Sequence, residues 1–282
     1  MDCYLSKSLG TDIQSVLEVN EIRYQFGREI VDCIFKTGDR VEQRILKLYH
    51  KDAEDTSGIG IQNIARKNHL ASIELAPCSI NIPKVYGSYF SDDIACVVME
   101  KLKKIERDPK TRVESASILS RLHNIPLDSL SHEFQSLIID SKPDKDRGRI
   151  GLINLCQILD KNHPQWKIEY PGLSEKVKDL VQEIVPLSSM RTLTHGDYFL
   201  ENLIPTLNGL CIINWDILAL GDPMFDLGML IGSDERISKK GINSIIREYR
   251  RTRSIDEEVL SWHINCWRYT LPLFRLMLKY KA

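Results

Sequence analysis

Residues 193–232 read LTHGDYFLENLIPTLNGLCIINWDILALGDPMFDLGMLIG. His195-Gly196-Asp197 follows a short apolar lead-in, and Asn202 stands five residues beyond the aspartate. Residues 210–213 form an apolar, strand-like run that ends in Asn214-Trp215-Asp216, and Gly221-Asp222-Pro223 and Asp226 come next. An aspartate and an asparagine so spaced on one loop can divide the work of phosphoryl transfer. The carboxylate accepts a hydrogen bond from an attacking hydroxyl and takes its proton, while the amide oxygen is a hard ligand suited to Mg²⁺. A second acid at a following strand end can complete a metal site. Positioning and charge neutralisation then supply most of the catalysis. Taken singly, each acid or histidine reads as readily as a capped turn or a satisfied core residue. The joint spacing is what points to chemistry.

Such groups need elements to hold them. Residues 28–36 alternate with Val31, Cys33 and Phe35 on one face, and 43–50 alternate with Ile45, Lys47 and Tyr49 on one side. Thr37-Gly38-Asp39 joins these two strands, and an earlier strand is expected near 21–26, before Gly27. Helical spacing at Ile61, Ile64, Asn68 and Ala71 marks a helix over 59–75, and strands are expected at 84–90 and 94–100. After Leu102 the chain turns helical, with segments at 112–124, 150–161, 174–185, 241–253 and 256–280, the last interrupted by Pro272. Residues 128–149 are polar and charged, and SKPDKDRGR at 141–149 reads as a loop. The reading is an α+β protein of two lobes, residues 1–101 rich in antiparallel strands with one helix and residues 102–282 larger and mainly helical.

HGDYFLEN, IINWD and GDPMFDL, in that order within 40 residues, resemble the aminoglycoside phosphotransferases and choline kinases. The pattern of that family is HGDxxxxN, an apolar strand, [I/V]DW[D/E] and GDPxxxDL, carried on a protein-kinase-like fold. The resemblance implies that Asp197 is the catalytic base and Asn202 a metal-ligating amide. His195 would brace the loop, and Asp222 and Asp226 would organise it and the helix that follows. One position departs from the pattern: the family's principal magnesium aspartate is here Asn214. An amide oxygen can ligate Mg²⁺ but brings no charge, so the metal is expected to bind more weakly. Asp216 matches the family's D/E position and is expected to carry the metal with Asn202 and Asn214.

A kinase-like first lobe also needs a third-strand lysine for the nucleotide phosphates, and Lys47 occupies that position. On its own it would read as a solvated strand lysine. The usual glutamate partner on the helix would fall near Asn68 or His69, neither of them acidic, with Glu74 and Glu54 the nearest acids. No GxGxxG is present, and Gly27 is the single glycine between the first two strands. Val98-Met99-Glu100-Lys101-Leu102 resembles the hinge, where backbone groups of Glu100 and Leu102 would pair with adenine.

The resemblance therefore implies an ATP- and Mg²⁺-dependent transfer of the γ-phosphate to a hydroxyl of a small molecule, aminoglycoside-, choline- or sugar-like. The alternative is a catalytically weakened pseudokinase that serves as a nucleotide-binding or scaffold protein, which Asn214 and the missing helix glutamate favour. HGD in place of HRD, and no APE-like segment, speak against a protein acceptor.

Composition agrees with these expectations. The 282 residues carry a formal net charge of −1, without the basic excess on which nucleic-acid binding rests. The longest apolar stretch, 210–232, contains Asp216, Asp222, Asp226 and Pro223, which excludes a membrane span there. No secretory leader precedes the first strand, and seven scattered cysteines form no CxxC pair, so a reducing, cytoplasmic setting is expected. The arginines at 247, 250, 251 and 253 read either as a solvated helix face or as a contact for an acidic substrate.

Overall fold

Strand alternation and helical periodicity resolve, in the computed structural model, into ten α-helices and nine strands among the described residues. These are residues 2–10, 13–25, 27–51, 59–108, 110–140, 147–183, 190–234 and 236–280. In chain order the first elements are α1 (Asp2–Leu9), β1 (Ser15–Gln25), β2 (Arg28–Thr37), β3 (Arg40–His50), α2 (Ile61–Glu74), β4 (Val85–Phe90) and β5 (Ile94–Glu100). They are followed by α3 (Thr111–His123), α4 (His132–Asp140), α5 (Arg147–Asn162), α6 (Trp166–Glu169), α7 (Pro171–Gln182) and β6 (Thr192–Thr194). The last are β7 (Leu203–Thr206), β8 (Gly209–Ile212), β9 (Ala219–Gly221), α8 (Pro223–Gly232), α9 (Lys239–Tyr249) and α10 (Glu257–Lys279).

Two compact units emerge. The first comprises residues 1–111, 125–142 and 201–219. Its five-stranded sheet runs in the order β1-β2-β3-β5-β4 with every neighbouring pair antiparallel. Period-two alternation sends successive side chains to opposite faces. Val31, Cys33, Phe35, Leu46, Leu48, Cys96 and Val98 pack around Leu5 of α1, while Tyr49, Ala95 and Val97 pack against Ile64 and Ala65 of α2. Lys47 lies on the α2 face by the same alternation. The close approach of α1 to the sheet depends on Gly87 of β4, where an added Cβ would lie 1.8 Å from the Ser8 carbonyl oxygen.

The second unit comprises 112–124, 143–200 and 220–282. Leu152 and Leu159 of α5, Val177 and Leu180 of α7, and Trp262, Cys266, Leu273 and Leu276 of α10 form its main core. Helix α8 seats Gly228 and Gly232 against α10, where added Cβ atoms would meet His263 and the Ile264 carbonyl at 2.5 Å. Small residues at that spacing let two backbones approach. The basic cluster near 250 is largely engaged at home: Arg253 donates to Asn124 and to the His123 carbonyl, and Arg250 and Arg251 pair with Glu257 and Glu248.

Two expectations are corrected. The loop expected at 141–149 ends earlier, because 147–149 already belong to α5, and in the polar stretch before it α4 forms unannounced, Phe134, Leu137 and Ile138 burying one helical face. Residues 141–146 lie outside the described ones. Pro272 does not interrupt α10, which runs through it as a single 23-residue helix; Leu273, Leu276 and Met277 are buried just beyond, and that packing outweighs one lost backbone donor. Helix α1, short and without a marked apolar stripe, had no sequence signature. No helix among the described residues is long and apolar enough to cross a membrane.

Candidate active site

In the first unit the register of β3 sets Lys47 between Ile30 of β2 and Val97 of β5. Its Nζ donates to Asp216 Oδ1 at 2.7 Å and to Asn214 Oδ1 at 2.9 Å. The same Asp216 oxygen accepts from Tyr49 Oη at 2.8 Å and from Asn68 Nδ2. Arg28 Nη1 lies 3.5 Å from Asp216 Oδ2. Lys47 is 6% exposed and Asp216 1%. Burial alone would raise the Asp216 pKa. The Lys47 and Arg28 charges, with hydrogen bonds from Lys47 and Tyr49, outweigh it and hold the carboxyl below its ordinary range. Burial, then the adjacent Asp216 charge, pushes Tyr49 well above the usual phenol range, so it remains a donor.

Asn214 itself sits in the left-handed region, φ 70° and ψ 63°, at the head of the 3₁₀ turn Trp215–Ile217. Asparagine and aspartate tolerate that conformation better than other non-glycine residues. Asn68 fixes the turn from α2, its Oδ1 accepting from the Trp215 backbone N–H at 3.2 Å. Asn202 is tied to the same corner, because its carbonyl accepts from the Ile213 N–H at 3.0 Å and Leu203 pairs with Ile212 in the β7–β8 hairpin. Asn202, Asn214 and Asp216 thus belong to one end of one hairpin.

A magnesium ion held by protein carboxylates does not fit this corner. Asp216 Oδ1 already receives three donors; Oδ2 makes no hydrogen bond but lies 3.5 Å from the Arg28 guanidinium, and Asn214 Oδ1 accepts from Lys47. Among the described residues no group of three or more His, Cys, Asp and Glu side chains is arranged to hold a metal ion. At the hinge, Glu100 ends β5, and its N–H donates to the Lys84 carbonyl at 2.8 Å. Leu102 lies two residues past the strand and is half-buried. Glu74 is engaged elsewhere, its carboxylate accepting from the Ser131 N–H at 2.7 Å. Glu54 lies outside the described residues.

The second unit holds the loop that carries Asp197. Gly196 adopts φ 79°, a conformation that costs glycine nothing. The buried carboxylate of Asp226, in the first turn of α8, accepts from the His195 N–H at 2.6 Å and the Gly196 N–H at 2.9 Å. His195 Nδ1 in turn accepts from the Asp197 N–H at 3.2 Å. The next side chain, Tyr198, is buried and donates to the Ser115 carbonyl at 2.9 Å. Asp222 caps α8 by accepting from the Met224 N–H at 2.8 Å. Asp197 is half-buried at the tip of this framework.

Sequence reasoning did not reveal the groups behind these. His123 of α3 is buried with Nε2 3.3 Å from Asp226 Oδ2 and Nδ1 2.7 Å from Tyr249 Oη. The pattern is that of a neutral ring, donating from Nε2 to the carboxylate and accepting at Nδ1 from the phenol. Burial lowers its pKa, aided by Arg253 and opposed by Asp226 and Asp222. A histidine whose folded pKa lies below its unfolded value near 6.5 binds its proton more readily in the unfolded chain. Stability should therefore be complete above about pH 6.5 and fall with pH below it. Urea midpoints measured from pH 7.5 to 5.5 should show that slope, and His123→Gln should flatten it. An unchanged slope would remove His123 as its cause.

The sequence profile of the phosphotransferase enzyme family matches residues 34–262, which contain Lys47, the HGD loop and both asparagines. The chain belongs to that family. Solved structures agree in fold with this phosphotransferase at low identity. A macrolide 2'-phosphotransferase of Brachybacterium faecium is 15% identical with a TM-score of 0.61, over 97% of this chain and 90% of the other. A choline kinase of Streptococcus pneumoniae is 18% identical, TM-score 0.61, over 95% and 88%. The streptomycin–ATP–APH(2'')-IIa ternary complex is 19% identical, TM-score 0.58, over 98% and 91%. No curated protein matches the chain by sequence. The α+β, kinase-like architecture read from element order is the one these structures share.

Proposed function

We propose that this phosphotransferase moves the γ-phosphoryl group of ATP to a hydroxyl of a small molecule. The observation that carries the reading is the HGD loop, pinned by two backbone hydrogen bonds to one buried carboxylate so that Asp197 stands at its tip. In this proposal Asp197 accepts the hydrogen bond of the acceptor hydroxyl and takes its proton as the phosphoryl group transfers. Lys47 grips the nucleotide phosphates, and backbone groups of Glu100 and Leu102 meet adenine. Residues 1–101 handle the nucleotide and residues 102–282 carry the base and the acceptor. Asn202 and Asn214 hold the positions of metal ligands but supply only neutral oxygens, so Mg²⁺ would travel chiefly with the phosphates of ATP. His195, Asp222 and Asp226 keep the loop in shape.

Structures of the same fold include complexes with streptomycin and ATP and with spectinomycin and ADP, beside a choline kinase. These ligands support a polyhydroxylated or amino-alcohol acceptor. Cys33, Cys78, Cys96, Cys156, Cys211 and Cys266 are free thiols, in keeping with a cytoplasmic setting. One observation favours the second reading, a pseudokinase: the amide at 214, where the family pattern has a carboxylate. Incubating the purified chain with γ-labelled ATP and Mg²⁺ across aminoglycosides, choline, sugars and amino alcohols should yield a phosphorylated acceptor. ATP binding without transfer to any of them would favour the pseudokinase.

If Lys47 serves the phosphates, Lys47→Ala should weaken ATP binding by about tenfold to a hundredfold while adenosine binding stays nearly constant. Calorimetric titration of both ligands checks this. Equal loss for both would assign Lys47 to folding alone.

A further inference from the structure

Kinase-like lobes present a carboxylate to the strand lysine from their helix; among the described residues here, the α2 side chain that reaches the cluster is the neutral Asn68. A negative charge nevertheless stands against Lys47. It comes from the 214–216 segment, where Asp216 lies 2.7 Å from Nζ. We infer that Asp216 is the positioning counter-ion of Lys47, substituting for the helix carboxylate, and is not a metal ligand. This deepens the nucleotide reading of Lys47 and rests on it.

Three observations within the first unit carry the assignment. Asp216 Oδ1 accepts from Lys47, Tyr49 and Asn68 together, which saturates the lone pairs of one carboxylate oxygen. Oδ2 makes no hydrogen bond but lies 3.5 Å from Arg28, so two cations already surround one anion, and a divalent cation added there would be repelled by their charge. Asn68 is placed to serve both sides of the turn, donating to Asp216 and accepting from the Trp215 N–H. The lysine is thereby fixed before any nucleotide arrives, with Asn214 as its second acceptor. A preorganised ammonium loses little freedom on meeting phosphate oxygens. The nucleotide would then be held mainly by Lys47, with a small contribution from a protein-bound metal.

ATP binding to the full chain, measured by calorimetry without acceptor in EDTA and in Mg²⁺, tests the inference. Wild type should bind metal-free ATP within about tenfold of its Mg²⁺ affinity; a dependence of about a hundredfold or more would overturn the assignment. Asp216→Asn should weaken binding in EDTA by about tenfold or more and leave adenosine unaffected. The exchange Asn68→Asp with Asp216→Asn returns a carboxylate to the cluster at nearly constant shape, and should recover ATP affinity to within about threefold of wild type. A metal ligand behaves oppositely: Asp216→Asn would leave binding in EDTA unchanged, erase only the gain from Mg²⁺, and gain nothing from Asn68→Asp. If Asp216→Asn does not fold, the wild-type comparison decides by itself. None of these readouts involves an acceptor, so failure of phosphate transfer and failure of this inference are separate results.

Discussion

Asp197→Asn is expected to lower phosphate transfer by about a hundredfold to ten-thousandfold, the range a positioned general base contributes. Asparagine keeps the size of the side chain and can still accept a hydrogen bond, but it cannot take the proton from the attacking hydroxyl. The fold should scarcely register the change. Asp197 is half-buried, and the contact that shapes its loop runs through its backbone N–H to His195 Nδ1, which the substitution retains. Melting should shift by no more than about 2 °C, as for a substitution worth roughly half a kilocalorie in a chain of this length. ATP affinity should also hold, because the proposed phosphate contact is Lys47. Steady-state transfer, calorimetry and a thermal melt on one preparation separate these effects. Transfer at near wild-type rate would remove Asp197 from the base role.

What the sequence made legible follows the range of each signal. Period-two alternation through RILKLYH put Lys47 and Tyr49 on one strand face, and both meet Asp216 there. Helical spacing marked α2 and the inward position of Asn68, and the absence of an acid at that position was plain. The source of the replacement charge was not plain. The Lys47–Asp216 contact spans 169 residues and depends on a left-handed turn at Asn214 that no periodicity records. Arg28 was read only as the start of a strand, although pairing Arg28 with Tyr49 brings it to the same carboxylate. In the second unit the motif located His195, Gly196 and Asp226. The buttress of His123 and Tyr249 was invisible because its members come from helices that bear no motif. Helix α4 was hidden by its polar surroundings: three buried apolar residues in nine decide it against the composition of its neighbours.

The largest effect on stability is expected at Asp226. Its carboxylate is fully buried, accepts two backbone N–H bonds from the HGD loop at 2.6 and 2.9 Å, and receives His123 at 3.3 Å. It also sits in the first turn of α8, where negative charge is favoured by the helix dipole. Asp226→Ala strands the His195 and Gly196 N–H groups and the His123 N–H in a buried site, at about 1–3 kcal/mol for each unsatisfied group. The total is a large share of the 5–15 kcal/mol by which domains are ordinarily stable, so the alanine variant should be poorly folded at 37 °C. Asp226→Asn is the more informative change. Its Oδ1 can keep one backbone bond, but its amide group then points N–H at N–H, so the loss should be roughly half as great and the protein should fold. Its transfer rate should nevertheless fall, because the loop that aims Asp197 has lost one of its two anchors, while ATP affinity should stay near wild type. Urea unfolding of both variants, with transfer and ATP binding measured on Asp226→Asn, tests the argument. An alanine variant as stable as wild type would mean that the carboxylate does not hold the loop.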